Sequence, residues 1–237
     1  MNIFICVGHA YYKNGAISSA DGTKYGGVNE YLYNKELAPY IVKWLEKAGH
    51  QATLCIAPEK KFSTLNEEIN YFIGEEHKQN YDLAIQLHLN AYNSQAYGCE
   101  AYAYNANGLK VAQAICNKLG TVWKNRGAVI KTGLYWTKKT KAKAVLIESF
   151  FCDNKDDYAK AKKLGFDAHG KLIAEGIIGS DIVVKEEAPV FTDGTPKVES
   201  DAIKYRVQIG AYKTKEAAQK MVEKAKAAGL DAIIKTE

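Results

Sequence analysis

Residues 82–89 read DLAIQLHL. A polar imidazole at His88 interrupts an otherwise apolar run, and the run is expected to be a strand in the middle of a sheet. Residues 142–150, AKAVLIESF, form a second near-continuous apolar strand, this time with a carboxylate, Glu148, inside it. Working outward, residues 2–7, 51–57 and 98–104 read as further strands. Helical spacing marks the stretches between them. Asn29 is placed to cap a helix that Gly49 stops, with Pro39 inside it, expected to kink the helix or to mark where it begins. Residues 63–79, 109–123, 153–163 and 167–180 are the other helical stretches. Strands that alternate with helices predict an α/β domain over residues 1–183, with a twisted, largely parallel sheet flanked by helices.

Residues 184–203, VKEEAPVFTDGTPKVESDAI, hold two of the four prolines and read as a linker. Beyond it, residues 205–209 read as a strand, 215–228 as a helix ended by Gly229, and 231–235 as a second strand. This C-terminal βαβ unit, residues 204–237, is too small to bury a core alone.

The net charge of +5 on 237 residues is shared between the two parts, which argues against a nucleic-acid partner. No apolar run is long enough to span a membrane. The start, MNIFICVGH, lacks the basic region and cleavage site of a signal peptide, so synthesis in the cytoplasm is expected. Cys6, Cys55, Cys99, Cys116 and Cys152 show no CxxC spacing and read as reduced core thiols.

Four residues stand where chemistry can be done. His9 follows strand one, Glu30 opens the first helix, His88 ends a central strand and Glu148 lies near the end of a later one. Open α/β sheets form sites beyond the carboxyl ends of strands. Three protein donors with an open fourth position make a catalytic zinc site, and a carboxylate nearby can carry the proton. Each residue also has a plainer reading: a loop histidine at His9, a helix-dipole carboxylate at Glu30, a core histidine bonded to a carbonyl at His88, an ion pair with Lys141 or Lys143 at Glu148. His50, His77 and His169 read as surface residues. Lys138, Lys139, Lys141 and Lys143 read as a solvated loop. Tyr11, Tyr12, Tyr25, Tyr92 and Tyr135 fall in segments near the four. The residues by themselves give a metallohydrolase and no named substrate.

GHA at 8–10, NEY at 29–31, LHLNA at 87–91 and AVLIESFFCDN at 144–154 come in the order of the motifs of zinc-dependent N-acetylmuramoyl-L-alanine amidases. Residues 1–180 resemble that family, and especially the amidase endolysins of clostridial phages. The resemblance implies Zn²⁺ held by His9, Glu30 and His88, Glu148 as general base, and Asn90 beside the site to orient substrate. It implies hydrolysis of the amide between N-acetylmuramic acid and L-alanine in bacterial peptidoglycan. Ala10 and Lys143 stand where the family often has glycine and proline. The tail resembles the first half of a SPOR domain, a peptidoglycan-binding module, and two tails are expected to pair in a homodimer. Storage in the cytoplasm and action at the cell wall after release follow. Two other readings stay open: a zinc peptidase acting on the stem peptide, and a cell-wall-binding protein without activity.

Overall fold

The strand expected at residues 82–89 is β3 (Leu83–Asn90), and it lies inside a six-stranded sheet. This computed structural model describes residues 1–183 and 214–227. In chain order β1 (Asn2–Val7), α1 (Glu30–Lys47), β2 (Gln51–Cys55) and α2 (Leu65–Glu76) precede β3. Then come β4 (Cys99–Ala103), α3 (Ala106–Leu119), β5 (Asn125–Ile130), α4 (Tyr135–Lys139), β6 (Lys143–Phe151) and α5 (Lys155–Ile178). The spatial order is β2-β1-β3-β6-β4-β5. The first four strands in that order are parallel; β4 runs antiparallel to β6 and parallel to β5. The sheet is therefore mixed, and largely parallel as expected.

Alternation along each strand sorts the side chains into two cores. Ile3, Ile5 and Val7 of β1, Leu83, Ile85 and Leu87 of β3, and Val145 and Ile147 of β6 cluster with Ile41, Ile115 and Ile173 of α1, α3 and α5. Phe4, Cys6, Ala84 and Ala144 cluster on the other face with Phe62, Phe72 and Trp136. His88 and Glu148 share the parity of this second set and sit opposite each other in register.

The Asn29 side chain accepts from Leu32 N and starts α1, which continues past exposed Pro39 to Lys47. The proline thus does not mark where the helix begins. The two helical stretches expected over residues 153–180 are joined as α5, with a break at Gly165, where φ is +76°. All five cysteines are buried and unpaired. β5 and α4 have no counterpart in the sequence reading.

His169 is a correction. It is fully buried, not a surface residue. α5 packs against both α1 and α3, so a helix with a polar sequence has little free face. The His169 ring lies 4.9 Å from that of Trp123, and its Nδ1 is 2.9 Å from the Tyr33 hydroxyl. Burial pushes its pKa down to about 3, so it is neutral.

The start of α5 pins the loop between β3 and β4. Asp153 Oδ2 accepts from Tyr92 N and Ser94 N at 3.1 and 2.8 Å. Asp157, fully buried, accepts from Gly98 N at 2.7 Å and from Phe151 N at 3.3 Å. Asp157→Ala orphans both N–H groups. The expected loss is about 3 kcal/mol of unfolding free energy, read as a lower urea midpoint.

α6 (Lys215–Ala227) lies where a C-terminal helix is expected. The linker and both flanking strands lie outside the described residues. The chain divides into units Met1–Glu186 and Glu187–Glu237. No helix among the described residues is long and apolar enough to cross a membrane.

Candidate metal centre

β1 ends at Val7, and Gly8 N continues the ladder by donating to Leu87 O at 3.0 Å. The next residue, His9, turns the chain with φ +72°, a left-handed conformation that costs a non-glycine residue roughly 1–3 kcal/mol. Its ring meets that of His88 edge-on, centroids 4.8 Å apart. Glu30, at the first position of α1, is 4% exposed.

The three side chains converge on one point. His9 Nε2 lies 3.1 Å from His88 Nδ1 and 3.1 Å from Glu30 Oε1, and His88 Nδ1 lies 2.9 Å from Glu30 Oε1. Among the described residues this is the group of histidine and acidic side chains placed to hold a metal ion. Two ring nitrogens and a carboxylate oxygen facing one another compete for protons when nothing lies between them. Tetrahedral zinc with donors at about 2.0–2.2 Å holds them roughly 3.3 Å apart, close to the spacing here. The donor set fits a divalent cation.

Hydrogen bonds hold Glu30 in place. Its Oε1 accepts from Leu89 N at 3.0 Å and its Oε2 from Ala20 N at 3.2 Å. Burial opposes its charge, but His88 and His9 hold its carboxyl well below the usual range. Burial likewise works against protonated His9, and Glu30 outweighs it, so the His9 pKa stands above the ordinary value. For His88 burial dominates and the pKa falls, which suits a neutral ligand.

Glu148 follows the apolar part of β6, level with His88. Its Oε2 is shut off from solvent and has no hydrogen-bond partner. Burial first, then the charges of Glu30 and Glu100, push its pKa well above the ordinary carboxylate value; Lys131 offsets part of this. No ion pair to Lys141 or Lys143 forms among the described residues. Asn90 ends β3 with its Nδ2 donating to Glu100 Oε1. Glu100 faces Glu148 across the β4–β6 ladder and lies 3.5 Å from Arg126 Nε. The sequence reading passed over Glu100: a single acid in a short strand gives no signal until the pairing is known. Of the tyrosines, Tyr92 stands 80% exposed two residues past Asn90, while Tyr11 packs on Tyr31, centroids 5.6 Å apart.

Two glycines keep this end of the sheet close. A Cβ at Gly27 would meet Cys152 O at 1.8 Å, so the loop over residues 10–28 lies directly on the end of β6. A Cβ at Gly8 would lie 2.4 Å from the His88 ring. Gly8→Ala is therefore expected to push the imidazole aside and weaken divalent-metal binding by about tenfold, measured by competition with a chelator.

The sequence model described as N-acetylmuramoyl-L-alanine amidase matches residues 3–179. The chain belongs to this family. A SPOR domain model matches residues 184–236. In structure, this family member resembles the catalytic domain of an endolysin targeting Clostridia difficile, at 52% identity and TM-score 0.73, over 76% of this chain and 98% of that one. In sequence it is 29% identical over 189 residues to an uncharacterised protein of Clostridium perfringens, covering 77% of this chain and 53% of the relative. It is 28% identical over 183 residues to the N-acetylmuramoyl-L-alanine amidase LytC of Bacillus subtilis, covering 74% of this chain and 34% of LytC. The chain spans about half the length of the first curated relatives it matches.

Proposed function

We propose that the protein hydrolyses the amide between N-acetylmuramic acid and L-alanine in bacterial peptidoglycan. The observation that carries this reading is the convergence of His9, Glu30 and His88 beside Glu148 in a chain of the amidase family. His9, Glu30 and His88 would hold Zn²⁺, which when bound supplies a Lewis acid and a water acidified toward neutral pH.

The other steps belong to the chain's own residues. Glu148 lies level with His88, and its raised pKa makes it a stronger base than a solvated carboxylate. It takes the proton of the attacking water and delivers it to the alanine nitrogen as the amide breaks. Asn90, held by Glu100 at the edge of the site, orients the substrate. Burial of Glu30 keeps bulk water away from its charge. The SPOR match over residues 184–236 supports a tail that binds the wall, so the protein acts at the cell wall. Pairing of two tails is a further part of the proposal; a monomer in ultracentrifugation at working concentration removes it.

End-group analysis of purified clostridial walls tests the reading. New L-alanine amino termini without new reducing sugars are expected, abolished by a chelator and restored by zinc. Other new amino termini point to a peptidase instead. No new ends, with protein still bound to the walls, point to a binding protein.

A further inference from the structure

A second carboxylate stands behind His9. Glu68 of α2 is 3% exposed, and among the described residues it has no cation within ion-pair distance. A buried carboxylate without a cation must be held by hydrogen-bond donors. Its Oε2 accepts from the Ser18 hydroxyl at 2.7 Å. Ser18 Oγ in turn accepts from Ala10 N at 3.0 Å and lies 3.3 Å from His9 Nδ1.

The proton count then fixes the ring. A hydroxyl has one hydrogen. Of the acceptors in reach, Glu68 Oε2 at 2.7 Å is far nearer than Ala10 O at 3.5 Å, so Ser18 gives it to Glu68, acts toward His9 as acceptor, and leaves Nδ1 to carry the imidazole proton. The lone pair is left on Nε2, the atom that faces Glu30 and His88. The same serine steadies the strained turn, because Ser18 N donates to Ala10 O at 3.1 Å while Ala10 N donates to Ser18 Oγ. Tyr12 borders this group: burial first, then Glu68, pushes its phenol up to about 12.

We propose that Ser18 and Glu68 form a relay that fixes His9 as its Nδ1–H tautomer and aims Nε2 at the metal. They are positioning residues, and α2 is thereby part of the site although it supplies no ligand. The inference rests on the reading of His9 as a ligand.

The test is a zinc titration of the full, metal-stripped chain against a chromophoric chelator, together with the visible spectrum of the Co²⁺ form. Ser18→Ala is expected to weaken zinc binding about 10–100-fold and to alter the cobalt bands. Ser18→Thr, which keeps the hydroxyl, is expected to restore both. Glu68→Met frees the Ser18 hydroxyl to donate to Nδ1, which moves the ring proton onto Nε2. It is expected to lose zinc affinity while the metal-free protein unfolds no earlier, since an unpaired buried charge is gone. Wild-type affinity and spectrum in Ser18→Ala, or a Thr variant as weak as the Ala variant, overturn the relay. Should Ser18→Ala not fold, unchanged affinity in Glu68→Met overturns it. A wild-type chain that binds no zinc overturns the ligand reading and the relay with it. Zinc bound by the wild type and equally by all variants overturns the relay alone.

Discussion

Glu148→Gln lowers wall hydrolysis by about 10³-fold or more while leaving metal binding in place. The amide keeps the shape of the side chain and removes its basicity. Glu148 is not among the three converging donors, so zinc affinity is expected to stay within about threefold of wild type. A second effect has the opposite sign. The folded-state pKa of Glu148 is raised, so between the ordinary carboxylate pKa and that raised value the folded protein binds more protons than the unfolded chain. Stability contributed at this site is present at acid pH and is lost as pH rises through the window. Glutamine does not titrate. At neutral pH the metal-stripped variant is therefore expected to melt a few degrees above the metal-stripped wild type. Calorimetry in chelator, beside end-group counts in zinc, measures both. Wild-type turnover in the variant removes Glu148 from the role of base.

Glu30→Ala is expected to weaken metal binding by more than about a hundredfold and to remove activity with it. Structural zinc sites bind with about 10–16 kcal/mol, so one donor of four is worth roughly 3 kcal/mol, more than a hundredfold in affinity. The fold also suffers, because Leu89 N and Ala20 N lose their acceptor. Two orphaned donors cost about 2–4 kcal/mol. Two imidazoles then face each other without the carboxylate that neutralises them. Equilibrium dialysis with zinc and a urea titration read the two losses separately. Retained stoichiometric zinc in the variant excludes Glu30 as a ligand.

Much of this was legible from residue patterns. The apolar runs around His88 and Glu148 identify the two central strands because both their faces are buried, and the amidase motifs sit on the ends of those strands. β5 was not legible: NRGAVI lies at the sheet edge, where burial does not enforce alternation, and Val129 and Ile130 are exposed. α4 has five residues, too few for helical periodicity to register. His169 misled because its burial comes from packing α5 against two other helices, which no local pattern encodes. Ser18 and Glu68 stand 50 positions apart in a loop and a polar helix. Only the folded chain brings either to His9. Glu30 shows the opposite case, since a helix-opening carboxylate was visible in the sequence, but its hydrogen bonds to Leu89 and Ala20 were not.

Within the six-stranded sheet β6 is the last strand made and one of the most central, inserted between β3 and β4. Its partners leave the ribosome some 40 to 60 residues earlier, at chain growth of about 5–20 residues per second. Until β6 arrives, β3 and β4 have no shared neighbour, and the hydrogen-bonding edge of each is open. Loop closure over such separations is slow compared with local helix formation. A nascent chain thus carries His9, Glu30 and His88 for seconds before Glu148 is made. Any product truncated before residue 143 lacks Glu148 and is exposed at two strand edges, a substrate for chaperones or proteases.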